Sequence, residues 1–169
     1  MFSKIFCKEV SPIDCEDEFL NLVKAAGEKI WWTAVNNPDG SLTFVKTKPN
    51  AGFFMARITK FPKIAEKIRE MYPTVVLENS YITKTLPGYH MIPHVDANRT
   101  TALIIPLGQN KGKISFYYRD KKVYTHSYQQ PTLTRVSVLH SAENDSSENR
   151  YSITIELSGS YWLNLFKIK

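Results

Sequence analysis

Residues 88–101 read GYHMIPHVDANRTT and put His90, His94 and Asp96 close together. An imidazole and a carboxylate two positions apart are either half of a metal site or two polar residues at the mouth of a loop, and the H-x-D triplet alone does not decide. His140, 46 positions beyond His94, offers the second imidazole that the first alternative needs. Two histidines and one carboxylate on one face of a metal leave three coordination positions open, an arrangement suited to non-haem Fe(II), where a co-substrate and oxygen both need room. A structural zinc site would instead be closed by a fourth ligand. Ten positions after His140 comes Arg150, with Ser152 two further on. A guanidinium held on a strand receives a carboxylate through two parallel hydrogen bonds, and a serine on the same face can add a third; lysine cannot match that geometry.

The chain has two other histidines. His90 precedes His94 by four positions in what reads as a loop, where that spacing has no helical meaning, and is expected to be structural. His126 lies in a strand with Tyr124 and Tyr128 on the same face, the pattern of a partly buried aromatic ladder. Neither joins the candidate metal set. The acidic, serine-rich SAENDSSEN after His140 reads as a solvated turn.

The elements that must position these residues change character near Thr74. Before it, SPIDCEDEFLNLVKAAGEKIWW carries Phe19, Leu22, Val23, Ala26 and Ile30 at helical spacing behind capping residues and acids, which predicts an amphipathic helix. FPKIAEKIREMYP predicts a second, with Pro62 in its first turn, an Ile64, Ile68 and Met71 stripe, and Pro73 as its stop. After Thr74 come at least six short β-rich runs: TVVLENSYITKTL, RTTALIIPLG, KISFYYR, KVYTHSY, TRVSVLH and RYSITIEL. The break at Arg119-Asp120-Lys121-Lys122 reads as a hairpin. Helices first and antiparallel strands after them predict a mainly β fold, a jelly-roll or double-stranded β-helix backed by N-terminal helices. In RYSITIEL, Tyr151, Ile153, Ile155 and Leu157 share one face, and Arg150, Ser152, Thr154 and Glu156 the other. If the apolar face packs on the helices, the polar face meets solvent or lines the barrel interior.

A length of 169 residues with 43% hydrophobic and 12% aromatic content suits a single domain with its own core. It is divided here into a helical part at about 1–73 and a β-helix core at about 74–169. The formal charge of +6 favours acidic partners or nucleic acid, but the lysines are spread, and no run of five like charges occurs. An ordinary basic surface is the reading. Cys7 and Cys15 lack a second pair for zinc or a disulfide framework and are expected to be free thiols in a reducing compartment. The N-terminal stretch is too short in apolar residues for a signal-peptide core, and no segment approaches the ~18 apolar residues of a membrane span. A cytoplasmic location without membrane contact is expected.

Taken in order, H-x-D at 94–96, His140 and Arg150 resemble the pattern of the Fe(II)/2-oxoglutarate-dependent oxygenases over residues 75–157. LPGYHMIPHVD followed by RTTALIIPLG is most similar to the prolyl and aspartyl/asparaginyl hydroxylase branches. The resemblance implies that His94, Asp96 and His140 hold Fe(II), and that Arg150 and Ser152 clamp the distal carboxylate of 2-oxoglutarate. O2 would be the other co-substrate. Related enzymes also place hydroxyl groups on the strand leading to Leu86-Pro87-Gly88, which makes Tyr81 and Thr83 secondary candidates beside their reading as ordinary strand residues. The implied reaction is hydroxylation of an unactivated C–H bond, on a peptide or protein side chain such as prolyl or on a small molecule.

Two departures narrow the branch. The nucleic-acid demethylases of the superfamily carry a second Arg six positions after the first, where this chain has Glu156, so a nucleic-acid substrate is less expected. The aspartyl/asparaginyl branch often has Gly at the position of Asp96. Two alternatives stay open: a cupin-type metalloenzyme that does not use 2-oxoglutarate, and a non-enzymatic jelly-roll module that binds sugar or peptide.

Overall fold

Two helices are interspersed among the strands up to Met71, and among the described residues only strands follow. The structure is a computed structural model and describes residues 6–36, 42–46, 51–96, 99–109 and 112–157. The first five residues of the N-terminal stretch considered above lie outside the described part. The elements in order are β1 (Cys7–Glu9), α1 (Glu16–Lys24), β2 (Thr33–Asn36), β3 (Leu42–Val45), β4 (Phe53–Arg57), α2 (Pro62–Met71), β5 (Val75–Thr85), β6 (Thr101–Leu107), β7 (Lys113–Tyr118), β8 (Lys121–Ser127), β9 (Thr132–Arg135), β10 (His140–Glu143) and β11 (Arg150–Leu157).

Two antiparallel sheets face each other. The larger runs β1-β9-β6-β11-β5-β4, and the smaller β10-β7-β8. The smaller gains a fourth member from the segment before Asp96: isolated bridges join His90 to Glu143 and His94 to His140, and the Met91 N–H donates to the Ala142 carbonyl at 2.9 Å. From β5 onward the chain thus passes back and forth between sheets, the course of a double-stranded β-helix. β2 and β3 form a separate hairpin.

Residue patterning explains which face goes where. The long apolar run of β6 is buried on both sides: Leu103, Ile105 and Leu107 join a core with Phe19 and Val23 of α1 and with Ile64, Ala65 and Ile68 of α2. Its alternate residues Ala102 and Ile104 face inward, to a second core with Ile114, Phe116, Tyr128 and Val136 between the sheets. In β11, Ile153 and Ile155 belong to the helix-side core, whereas Arg150, Ser152 and Thr154 are buried on the opposite face. That face lines the interior. β8, at the edge of the smaller sheet, begins with exposed Lys121 and Lys122, charges that discourage pairing with another chain.

Several expectations need correction. α1 stops at Lys24, and a short 3-10 turn at Glu28–Ile30 follows Gly27, because glycine weakens a helix interior; the expected stripe is otherwise kept, with Phe19 and Val23 buried and Leu22, Ala26 and Ile30 packed beside them. The part before Thr74 is not simply helical, since β1 and β4 extend the larger sheet at its two edges. TRVSVLH is not one strand. It crosses between sheets after Arg135, so His140 opens β10 rather than ending the strand before it. Nor is SAENDSSEN a solvated turn throughout: Asn144 is fully buried, and its amide donates to the carbonyls of Thr85, Leu86 and Glu148, which ties the β10–β11 connection to the end of β5. The 119–120 break does form a two-residue hairpin, with both residues at positive φ.

Core position predicts the cost of truncation. Ile153→Ala, on the central strand beneath the helices and fully buried, should lower unfolding stability by about 2–5 kcal/mol. Val123→Ala, 40% exposed on β8, should change it by no more than about 0.5 kcal/mol. Urea denaturation midpoints at equal slope check both.

Candidate metal centre

His94 and His140 are brought together by backbone pairing. Each N–H donates to the other's carbonyl, at 2.8 and 2.9 Å, which sets the imidazoles side by side with ring centroids 4.5 Å apart. Asp96 follows two residues on, anchored by its own N–H to the Val136 carbonyl at 3.1 Å. Its Oδ1 lies 3.5 Å from His94 Nε2 and 3.9 Å from His140 Nε2. One ligand atom from each of the three residues falls within 4.8 Å of the others.

The donor chemistry fits a divalent cation. His94 Nδ1 is 2.9 Å from the Ile92 carbonyl and His140 Nδ1 is 2.9 Å from the Val138 carbonyl. A carbonyl only accepts, so each Nδ1 carries the hydrogen, and in the neutral ring Nε2 keeps its lone pair for a metal. Burial, reinforced by the neighbouring His94 charge, pushes the His140 pKa down to about 4, so this imidazole is neutral at physiological pH. Burial also acts on His94, but the hydrogen bonds to Asp96 and to the Ile92 carbonyl outweigh it and raise its pKa. Asp96 is held well below the usual carboxylate range: burial opposes its charge, yet the His94 hydrogen bond and the Arg99 guanidinium prevail.

β11 and β5 turn a polar face to the interior. Arg150 is 4% exposed and pairs across the strands with Thr85; Ser152 pairs with Thr83, and Thr154 with Tyr81. The expected Arg150, Ser152, Tyr81 and Thr83 therefore share one surface. Thr83 Oγ1 and Ser152 Oγ are 2.7 Å apart, and Thr83 also donates to the Ser152 carbonyl at 3.3 Å. The Arg150 guanidinium sits 5.2 Å over the Tyr128 ring. Burial lowers its pKa and the Tyr128 contact opposes that shift.

Sequence reasoning overlooked three contributors. Thr85 continues the Tyr81-Thr83 alternation by one step, and its buried hydroxyl has no hydrogen-bond partner among the described residues. Gly112, at φ +69°, lies so close to Arg150 that a Cβ there would overlap the arginine Cδ and Nε. Arg99, three residues after Asp96, donates from Nε to Asp96 Oδ2 at 2.6 Å. Alternation could have found Thr85. No local signal marks the other two, whose contacts come from the turn of the chain around them.

The remaining histidines lie apart from the cluster. His126 is half-buried and meets Tyr128 edge-on at 5.2 Å. His90 forms a second group with Glu143 and Asp145. There Lys113 and His90 each lie 2.7 Å from Asp145, and Lys122 lies 2.9 Å from Glu143. Two ammonium groups already neutralise the two carboxylates, so a dication would have to displace them. A cleft of about 730 Å³ lined by Gly112, Lys113, Tyr128 and Asp145 does not include His94, Asp96 or His140. Donor chemistry is the stronger guide, because a metal needs ligand atoms rather than volume.

No protein-family model matches the chain, and no curated protein does. Solved structures do resemble it. A prolyl hydroxylase from Trichoplax adhaerens, in complex with a hypoxia inducible factor oxygen degradation domain peptide fragment, superposes with a TM-score of 0.58 at 12% identity, covering 99% of this chain and 90% of that one. The chain has the same double-stranded β-helix fold. Escherichia coli ycfD gives a TM-score of 0.50 at 12% identity over 92% of this chain, which spans about half (48%) of that protein's length. A cupin domain from Bordetella pertussis shows 18% identity over 51% of this chain and 91% of its own, with a TM-score of 0.37. At 12% identity the likeness to the first two is one of fold.

His94→Ala, Asp96→Ala and His140→Ala should each abolish Mn(II) or Fe(II) binding, because two donors do not retain a labile divalent ion. His90→Ala and His126→Ala should bind as wild type does. Anaerobic calorimetric titration of the metal into each protein is the measurement. Gly112→Ala, which must displace the Arg150 side chain, should lower the urea denaturation midpoint while leaving metal affinity unchanged.

Proposed function

We propose that the chain is an Fe(II)- and 2-oxoglutarate-dependent dioxygenase that hydroxylates an unactivated C–H bond. The observation that carries this reading is the joint placement of a two-histidine, one-carboxylate cluster and a buried, hydroxyl-flanked arginine along one barrel interior. Fe(II) bound by His94, Asp96 and His140 would couple the oxidative decarboxylation of 2-oxoglutarate to succinate with insertion of the second oxygen atom of O2 into the substrate.

The protein's own residues supply position. Arg150 receives the distal carboxylate of 2-oxoglutarate through its planar fork, in a site where burial strengthens the charge-assisted bonds. The Thr83 and Ser152 hydroxyl oxygens, 2.7 Å apart with either able to donate, add hydroxyl groups to the same wall for that carboxylate. Thr85, opposite Arg150 with a buried hydroxyl lacking a partner among the described residues, suits a further donor to that anion. Phe116, fully buried with its ring centroid 6.4 Å from that of His140, keeps the inner wall dry. Tyr81 lies on the same wall, opposite Thr154.

For the substrate we favour a peptide or protein side chain such as prolyl, a reading supported by the peptide bound to the Trichoplax prolyl hydroxylase; a small molecule is the alternative. Glu156, where a nucleic-acid demethylase would have its second arginine, speaks against a nucleic-acid substrate. Among the described residues no helix is long and apolar enough to cross a membrane. The thiols of Cys7 and Cys15 are free, and we place the enzyme in a reducing, cytoplasmic setting that also keeps iron in the Fe(II) state.

The test is anaerobic calorimetric titration of 2-oxoglutarate into the Mn(II)-loaded protein. Wild type should bind, and Arg150→Ala should bind roughly a hundredfold more weakly or worse, because two charge-assisted hydrogen bonds of ~1.5–3 kcal/mol each are lost. Arg150→Lys should recover part of the loss, and Ser152→Ala should cost less than either. Equal affinity in wild type and Arg150→Ala would remove the co-substrate role of the arginine and favour a cupin-type enzyme that does not use 2-oxoglutarate.

A further inference from the structure

We infer that Arg57, whose guanidinium lies over the Trp32 ring at the open margin of the larger sheet, docks an acidic side chain of an extended peptide substrate. The inference rests on the reading of the chain as a hydroxylase and gives its substrate a class.

Strand pairing places the two residues. Cross-strand partners in an antiparallel sheet share a face. Thr83 pairs with Ser152 on one side and Met55 on the other, and Met55 pairs with Trp32 through reciprocal backbone bonds of 2.7 and 2.9 Å. In the next row Thr154 pairs with Tyr81, and Tyr81 with Arg57. Trp32, Met55 and Arg57 therefore continue the inner face that holds Ser152 and Thr154, while Ala56 belongs to the helix-side core. Exposure rises outward along the second row: Thr154 is buried, Tyr81 is half-buried and Arg57 is exposed. The cover over this face thus ends near β5.

The margin belongs to the metal end of the barrel. His140 pairs with Phe116, which shares the inner core with Ile104, and Ile104 lies in the row of Thr154, Tyr81 and Arg57. Asn144, just after β10, is instead tied to the Thr85 end of β5, where Arg150 stands. The chain passes from Thr85 to His90 in five residues, so the outer edge of the smaller sheet stands on the β4 side. There Ile92 and Val95 are 70% and 50% exposed on either side of His94.

The chemistry selects the occupant. Among the described residues the Arg57 guanidinium makes no ion pair or hydrogen bond; it lies 5.8 Å over the Trp32 ring. That contact restrains a long side chain, which lowers the entropy cost of docking an anion, and a carboxylate matches the guanidinium fork. The strip is one strand and one bridge wide, which suits an extended segment, whereas a second copy would need a face of about 800 Å². A nucleic-acid strand stacks bases on open aromatic faces along a positive track. Here one face of Trp32 is taken by Arg57.

The probes are fluorescein-labelled eleven-residue peptides with a central proline in a Leu, Ala and Gly background, carrying Glu or Lys at each flanking position in turn. Each is titrated by fluorescence anisotropy, without oxygen, into protein mixed with Mn(II) and 2-oxoglutarate. On wild type, Glu at one or two positions should bind about fivefold or more tightly than Lys at the same place. Arg57→Ala should remove that preference and Arg57→Glu should reverse it, a change of sign that a merely structural role would not produce. Mn(II) affinity, equal in all three proteins, checks that the variants fold. Three results would overturn the inference: no peptide binding or no Glu preference in wild type, a preference kept in Arg57→Glu, or an oligothymidylate that competes better than the unlabelled Glu peptide. Peptide failure in a wild type that binds 2-oxoglutarate leaves the dioxygenase reading with a small-molecule substrate. Charge reversal in a protein that does not bind 2-oxoglutarate overturns that reading and leaves the docking role of Arg57 standing.

Discussion

The reciprocal pair of backbone hydrogen bonds between His94 and His140 is the constraint on which the candidate site depends. It joins a short segment after β5 to the first residue of β10, two stretches far apart in sequence, and it fixes both imidazoles on one side of the smaller sheet. Each imidazole is then oriented by a carbonyl two residues before it in the chain. Asp96 is placed by the same run of pairing through Val136. The side chains thus inherit their geometry from main-chain bonds, which are stiffer than side-chain contacts and independent of whether a metal is bound.

A buried charge is the second organising feature. Taking Arg150 out of water is costly, and the fold meets part of that cost with the face of Tyr128 and with a wall of hydroxyls from Thr83, Thr85 and Ser152. Gly112 lets the chain pass directly over the arginine stem. In the proposed function, such an arrangement would pre-organise the guanidinium for the anionic co-substrate, since no solvent would have to reorganise when the anion arrives. A further buried charged group, the Asp96–Arg99 pair with side chains 15% and 22% exposed, sits beside the two imidazoles.

The framework that carries both features is a sandwich with two distinct cores. Helix-side residues of β5, β6 and β11 pack under α1 and α2 and carry much of the apolar burial. The inner faces can then hold polar residues at modest stability cost, because the outer faces already anchor the strands. β1 and β4, added from the N-terminal part at the two edges of the larger sheet, cover strands that would otherwise present open ladders.

By itself the sequence determined the strand pattern after Thr74, the alternation that turns Arg150 and Ser152 away from Ile153 and Ile155, and the order His94, Asp96, His140, Arg150. These are legible because side-chain direction in a strand has period two and because H-x-D and the ten-residue step to Arg150 are local spacings. Only the tertiary structure decided the rest. The break of TRVSVLH into two strands in different sheets has no local signal, since Val136 and Val138 continue the alternation across the crossing. β1 and β4 are too short for periodicity to mark them, and they exist because the larger sheet offers them edges. The link from Arg99 to Asp96, the overlap of Gly112 with Arg150 and the burial of Asn144 against Thr85 and Leu86 each depend on how loops close in three dimensions, where spacing along the chain no longer measures distance.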